Sequence, residues 1–164
     1  MKIYLVRHAE AIDYQTGTVN TDSLRYLTSN GRKISREVFK KLKDEFCDLE
    51  KIFTSPLIRA VQTAEILAVV TKFKNDIEVV KELSTDASLS DAIKLIKLNS
   101  SFDSIALAGH EPMMGILSAS LSGREKSLFP FKKSAVCLVD YNPEKQTGKF
   151  IWMFNPKTME FQKQ

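Results

Sequence analysis

The chain has 164 residues, of which 43% are apolar and 27% are charged, and its formal net charge is +4. This length suits one domain better than two, so we expect residues 1–164 to form a single domain. The apolar stretches fall short of the roughly 20 residues of a membrane span, and no basic run is interleaved with aromatic residues. We therefore expect no membrane and no nucleic-acid partner, whereas the positive charge mildly favours acidic or phosphorylated ones.

The predicted elements alternate between strands and helices, beginning with an apolar strand at residues 3–6. Thr28 is a suitable N-cap for the first helix, which has an apolar stripe at Ile34, Val38, Leu42 and Phe46. The later predicted elements are strands at 51–54, 77–80, 104–108, 135–139 and 149–154 and helices at 57–68, 89–96 and 112–121. This alternation predicts an α/β fold with three layers, in which helices cover both faces of a mostly parallel central sheet.

The cysteines and the N-terminal segment suggest a cellular location. Cys47 and Cys137 lie in apolar stretches and do not form a CxxC pair, so we expect buried free thiols in a reducing compartment. The first apolar run ends at Arg7 and is too short for a signal peptide. We therefore expect the protein to be cytoplasmic.

Both histidines of the chain come directly after predicted strands. Arg7 and His8 follow the first strand, and His110 follows the fourth. Arg59 lies in the opening turn of the helix that follows the second strand. Because ligand sites in open α/β sheets form outside the carboxyl ends of the strands, we expect these four side chains to share one pocket.

The chemistry of these four residues points to phosphate. Arginine binds phosphate oxygens through a planar set of donors, and helix N-termini near Arg59 and His110 would add backbone donors. Nearby guanidinium groups would keep His8 neutral and nucleophilic, while a protonated His110 could stabilise charge on the transferred oxygens. We expect no metal and no other cofactor, since two histidines without clustered carboxylates make a poor metal site. A purely structural role for these residues stays open at this point.

The motifs around these residues resemble those of the histidine phosphatase superfamily, which includes the phosphoglycerate mutases. The family's Arg-His-Gly corresponds to residues 7–9, and its Ser-Pro-x-x-Arg-Ala-x-Gln-Thr is complete at residues 55–63. A third motif corresponds to residues 109–112. The short chain and residues 25–31 are most similar to the SixA-type phosphohistidine phosphatases. The resemblance implies a phosphoglycerate mutase-like fold without a cap domain, since only 19 residues separate Leu83 from Asp103.

The resemblance also implies a role for each matching residue. His8 would be the catalytic nucleophile that becomes phosphohistidine, and Arg7, Arg59 and His110 would complete the catalytic phosphate pocket. The enzyme would then be a histidine phosphatase, a hydrolase of phosphoric monoesters or phosphoramidates.

Three positions depart from the family pattern or match it weakly. Ala9 replaces the usual glycine, which is tolerable if the backbone keeps a negative φ there. Arg25 precedes a Leu-Thr-x-x-Gly match and would add a peripheral substrate contact or lie on the surface. Glu82 lies in the region of the family's general acid and is a candidate proton donor or a surface glutamate.

Three functions remain in competition. The leading hypothesis is removal of phosphate from phosphohistidine in a protein, because a site without a cap should be open to a protein surface. The first alternative is a metal-independent phosphatase of small phosphate esters. The second is a non-catalytic module that binds a phosphorylated ligand, which would be favoured if His8 or either pocket arginine were missing.

Overall fold

The computed structural model describes residues 1–13 and 19–163. In these ranges the strands are β1 (Lys2–Arg7), β2 (Lys51–Thr54), β3 (Ile77–Val79), β4 (Ser104–Gly109), β5 (Val136–Asn142), β6 (Thr147–Asn155) and β7 (Glu160–Gln162). The α-helices are α1 (Ser29–Lys41), α2 (Ile58–Thr71), α3 (Leu89–Leu98) and α4 (Met113–Leu121). Short 3₁₀ turns cover Asp22–Leu24, Lys43–Phe46 and Lys81–Leu83.

The strands form one mixed sheet in the order β3-β2-β4-β1-β5-β6-β7. The first four strands in this order pair in parallel, and the remaining neighbours pair antiparallel. Strands β1 to β4 and β6 therefore run in the same direction, which confirms a mostly but not wholly parallel sheet. The last two predicted strands, at 135–139 and 149–154, correspond to the antiparallel pair β5–β6. Strand β7 was not predicted, because its three residues carry too short a pattern.

Helices cover both faces of this sheet, as the alternation predicted. In β1, Ile3 and Leu5 pack into the core beneath α3 and α4, while Tyr4 and Val6 pack into the core beneath α1 and α2. All four side chains are fully buried. The continuous apolar run at residues 3–6 is thus explained by a strand with a hydrophobic core on each side.

The start of α1 is fixed against the loop that follows β1. Thr28 is the N-cap, as predicted: its hydroxyl oxygen accepts from the Gly31 backbone N–H at 2.9 Å and donates to Oε1 of Glu10 at 2.6 Å. A Cβ on Gly31 would lie 2.2 Å from the Glu10 carbonyl oxygen, so glycine permits this close approach. These contacts hold the loop that carries His8.

The two cysteines differ in exposure. Cys137 is buried in the core, as expected, but the prediction that Cys47 is buried was wrong. Cys47 comes directly after the 3₁₀ turn Lys43–Phe46, in which Phe46 is the buried residue.

Among residues 1–13 and 19–163, the helices are all too short or too polar to cross a membrane.

Candidate active site

Three neighbouring strands bring the predicted residues to one edge of the sheet. The carboxyl ends of β2, β4 and β1 are adjacent, and backbone hydrogen bonds continue past them: His8 donates to Gly109 at 3.0 Å, and Ser55 donates to Ala108 at 2.9 Å. The imidazole rings of His8 and His110 lie 5.0 Å apart, between centroids. Nε of Arg59 lies 3.4 Å from Nε2 of His8. The structure thus places these residues in one pocket.

The hydrogen bonds of His8 identify its nucleophilic atom. Nδ1 lies 2.7 Å from the carbonyl oxygen of Ala9 and must donate to it, so the lone pair of the neutral ring is on Nε2. Burial is the largest cause that lowers the pKa of His8 to about 3, and the positive neighbours His110, Arg59 and Arg7 lower it further against the effect of the Ala9 carbonyl. His8 is therefore neutral near pH 7. Ala9 does not have a positive φ, which explains why it can replace glycine.

Two buried nitrogen atoms at this site lack a hydrogen-bond partner among the described residues: Nε of Arg7 and Nδ1 of His110. The other end of Arg7 is fixed, because Nη1 donates to the carbonyl oxygen of Phe131 at 2.5 Å. Buried polar atoms are nearly always paired in folded proteins. Together with Nε of Arg59, these atoms form a set of donors suited to the oxygens of a phosphoryl group.

The protonation of His110 depends on its burial and on the charges around it. Burial and the charge of Arg59 are the main causes that lower its pKa to about 4, while Asp22 acts in the opposite direction. The imidazole is therefore neutral before phosphate binds. Nε2 of His110 lies 2.8 Å from Oγ of Ser55. If the Ser55 hydroxyl donates this bond, Nδ1 carries the hydrogen and can donate to a phosphate oxygen.

The other residues of the second motif hold the pocket together. Thr63, which is fully buried, donates to the carbonyl oxygen of Arg59 at 2.7 Å and accepts from the backbone N–H of Ala9 at 3.1 Å. Oε1 of Gln62 accepts from the backbone N–H of Leu27 at 2.8 Å. Helix α2 is thereby linked to the loop after β1 and to the segment before α1.

Of the two weaker candidates, Arg25 is linked to Arg59 through Asp22, and Glu82 lies outside the pocket. Arg25 donates from Nε to the carbonyl oxygen of Ile12 at 2.7 Å and from Nη1 to Oδ1 of Asp22 at 3.0 Å. Glu82 is half-buried in the 3₁₀ turn Lys81–Leu83 and lines a separate cavity that includes none of the four pocket residues. Within the described ranges, no cluster of histidine, cysteine and acidic residues could hold a metal ion.

Asp22 is a site residue that the sequence did not reveal. Its backbone oxygen accepts from Nη1 of Arg59 at 2.8 Å, and its Oδ2 accepts from Nη2 at 2.9 Å. The side chain is 46% exposed and lies in a 3₁₀ turn between the loop after β1 and α1. No motif marks this position, and the only local signal is the arginine three residues later, with which it forms an ion pair.

Known proteins are similar to this chain in sequence and in fold. Residues 3–85 match the model of the histidine phosphatase superfamily (branch 1). The chain is 30% identical to phosphohistidine phosphatase SixA of Escherichia coli strain K12, over 99% of each chain. Its fold is similar to that of the protein histidine phosphatase SixA complexed with tungstate, with a TM-score of 0.88 and 28% identity over 98% of this chain and 100% of the other.

A more distant structural relative is a phosphatase of a different substrate. A phosphoserine phosphatase mutant from Entamoeba histolytica, in complex with phosphoserine, is similar with a TM-score of 0.69, over 97% of this chain and 99% of the other. At 16% identity this similarity shows the fold alone. The fold by itself therefore does not select a substrate.

Proposed function

Because the chain belongs to the histidine phosphatase superfamily, we propose that it is a phosphatase that removes the phosphoryl group from phosphohistidine in a protein. The observation that carries this proposal is the lone pair on Nε2 of the neutral His8 ring. This nitrogen faces Arg59 and lies beside the unpartnered donors of Arg7 and His110. The similarity to the SixA proteins over almost the whole chain supports the substrate class. Residues 1–164 would then form a single histidine phosphatase domain.

The first step transfers the phosphoryl group to the enzyme. The lone pair on Nε2 of His8 attacks phosphorus, and the phosphorus–nitrogen bond of the substrate breaks on the opposite side. The electron pair of the broken bond stays on the substrate nitrogen, and the ring leaves as neutral imidazole because its other nitrogen carries a proton. Nε of Arg7, Nε of Arg59 and Nδ1 of His110 would bind the three peripheral oxygens, on which charge is spread in the transition state.

The second step transfers the group to water. A water oxygen forms a bond to phosphorus, the bond from phosphorus to Nε2 of His8 breaks, and its electron pair returns to the ring. The protons of the water leave with inorganic phosphate or pass to solvent. Because Nδ1 keeps its hydrogen, which it donates to the carbonyl oxygen of Ala9, His8 leaves as a neutral imidazole.

A cleft beside the pocket favours a protein substrate. It has a volume of about 540 Å³ and is lined by Arg7 together with the apolar side chains of Ile34 and Pro156. Its walls also carry three lysines, Lys132, Lys133 and Lys157. Glu10 is the one acidic residue among those that line it, so the cleft has a net positive charge. An acidic segment next to a phosphorylated histidine would fit this surface, whereas a small ester would contact only the phosphate pocket.

This cleft gives a prediction about substrate discrimination. We expect the double variant Lys133→Glu/Lys157→Glu to lower kcat/KM for an acidic phosphohistidine protein by about tenfold or more, because attraction becomes repulsion. Turnover of p-nitrophenyl phosphate should remain essentially unchanged. Both lysines are exposed, so the fold should tolerate the changes. Lys43→Glu is the matched control, since Lys43 is also exposed but lies in the turn before the start of β2. An equal loss of kcat/KM with both substrates would show that the cleft does not recognise the protein substrate.

The substrate class is tested by comparing leaving groups. We expect kcat/KM to be higher for a phosphohistidine protein domain than for sugar phosphates or nucleotides, and Glu82→Gln to have little effect on the protein substrate. An imidazole leaves more readily than an alkoxide, which needs a proton from a positioned acid, and Glu82 lines a separate cavity.

Two outcomes of this comparison would contradict the proposal. Faster turnover of a small ester with strong dependence on Glu82 would favour the ester phosphatase. Binding of phosphorylated ligands without any turnover would favour the non-catalytic module. A cytoplasmic location and the absence of a nucleic-acid partner remain predictions.

A further inference from the structure

The guanidinium group of Arg59 has two donor edges, and each edge has a different partner. Nη1 and Nη2 form the outer edge, which donates to the backbone oxygen and to Oδ2 of Asp22. Nε and the second hydrogen of Nη2 form the inner edge. Because Nε lies 3.4 Å from Nε2 of His8, the inner edge faces the nucleophile. Asp22 therefore binds Arg59 on the side away from the reacting atoms.

Asp22 is itself held in place. Its Oδ1 accepts from Nη1 of Arg25 at 3.0 Å, and Arg25 is fixed by its hydrogen bond to Ile12 at 2.7 Å. Partial burial raises the pKa of Asp22, but the hydrogen bonds and charges of Arg25 and Arg59 outweigh this effect, so the pKa is lowered. The carboxylate is therefore ionised near pH 7. A continuous chain of contacts leads from Ile12 through Arg25, Asp22 and Arg59 to His8.

We propose that Asp22 is a positioning residue that holds the outer edge of Arg59, so that the inner edge binds phosphoryl oxygens at His8. This inference rests on the proposed phosphatase function. Arginine has several rotatable bonds, and misplacement of a binding group by about 1 Å can cost up to about a hundredfold in rate. Asp22 does not contact the phosphate in this role. It restricts the rotation of the Arg59 guanidinium group, which does contact the phosphate.

Two other roles for Asp22 make different predictions. A carboxylate that only shields Arg59 from anions would compete with phosphate, so its removal would strengthen phosphate binding. A carboxylate that accepts a proton from the attacking water would contribute a limb to the pH profile of kcat. The positioning role requires weaker phosphate binding after removal of the carboxylate and an unchanged shape of the pH profile.

The experiment compares three variants with the wild type. Binding of inorganic phosphate is measured by titration calorimetry, and kcat and KM are measured with a phosphohistidine protein between pH 5.5 and 8.5. We expect Asp22→Ala to weaken phosphate binding and lower kcat by about tenfold each, since the bond from Nη1 to the backbone oxygen remains. Asp22→Asn keeps an acceptor oxygen for Nη2 of Arg59 but loses the one for Arg25, so it should recover part of both losses. Asp48→Ala is the matched control: Asp48 is also 46% exposed and paired with a cation, Lys2, but at the start of β1.

The outcomes separate this inference from the proposed function. If no phosphohistidine protein is turned over, the phosphate affinities of the wild type, Asp22→Asn and Asp22→Ala still test the positioning role. Tighter phosphate binding by Asp22→Ala, unchanged binding and kcat, or loss of a limb of the pH profile would each overturn it. If Asp22→Ala does not fold, Arg25→Ala loosens Asp22 indirectly and should produce a smaller loss in the same direction.

Discussion

Replacement of His8 with alanine is expected to abolish turnover, lowering kcat by about 10⁴-fold or more, as for removal of other covalent nucleophiles. When Ser55 donates to Nε2 of His110, Nδ1 carries the hydrogen and has no lone pair, so this second imidazole cannot replace His8 as the nucleophile. His8 is 7% exposed and its Nδ1 is fixed on Ala9, so its Nε2 has a defined direction. Steady-state assays with a phosphohistidine protein and with p-nitrophenyl phosphate measure the loss.

A trapping experiment identifies the modified atom. Brief reaction with a ³²P-labelled substrate followed by an alkaline quench should leave base-stable, acid-labile label on His8. His110→Gln is the matched control, since it removes the other histidine: label should still form on His8, although more slowly. Near-wild-type turnover by His8→Ala, or label at another residue, would refute the proposed mechanism.

Replacement of Arg59 with lysine is expected to lower kcat by about a hundredfold or more, the cost of losing a preorganised group that stabilises charge in the transition state. The guanidinium group donates to Asp22 from one edge and faces His8 with the other. A lysine ammonium is a compact charge and cannot contact both sides in this way. The positive charge is retained, so the loss would report geometry and not net charge.

The effect of Arg59→Lys is interpretable only if the fold is intact, because Arg59 is 4% exposed. Thermal unfolding of the variant is therefore measured beside kcat and phosphate affinity. Arg36→Lys is the control for the same substitution at an exposed position on α1 and should change none of these quantities. If Arg59→Lys retains kcat within a few fold while remaining folded, the donor fork of Arg59 is not needed for catalysis.

The architecture and the residues at the centre of the site could be predicted from the amino-acid sequence alone. The apolar run of β1, with Ile3 and Leu5 on one face and Tyr4 and Val6 on the other, required a sheet covered on both sides. Strand ends at β1, β2 and β4 then placed His8, Arg59 and His110 together, because parallel strands present their carboxyl ends at one edge. The apolar periodicity and the succession of strands and helices along the chain are properties of local sequence, so they can be predicted without knowledge of packing.

The contacts that give these residues their chemistry depend on the tertiary fold and could not be predicted from the sequence. Asp22 meets Arg59 across 37 positions of sequence, and the nucleophilic nitrogen of His8 is defined by a bond to Ala9. The exposure of Cys47 and the neutral state of His110 likewise depend on what packs around them. A hydrophobic pattern reports which face of an element is buried. It does not report which distant donor or charge lies against that face, and those neighbours set the direction of a guanidinium group and the pKa of an imidazole.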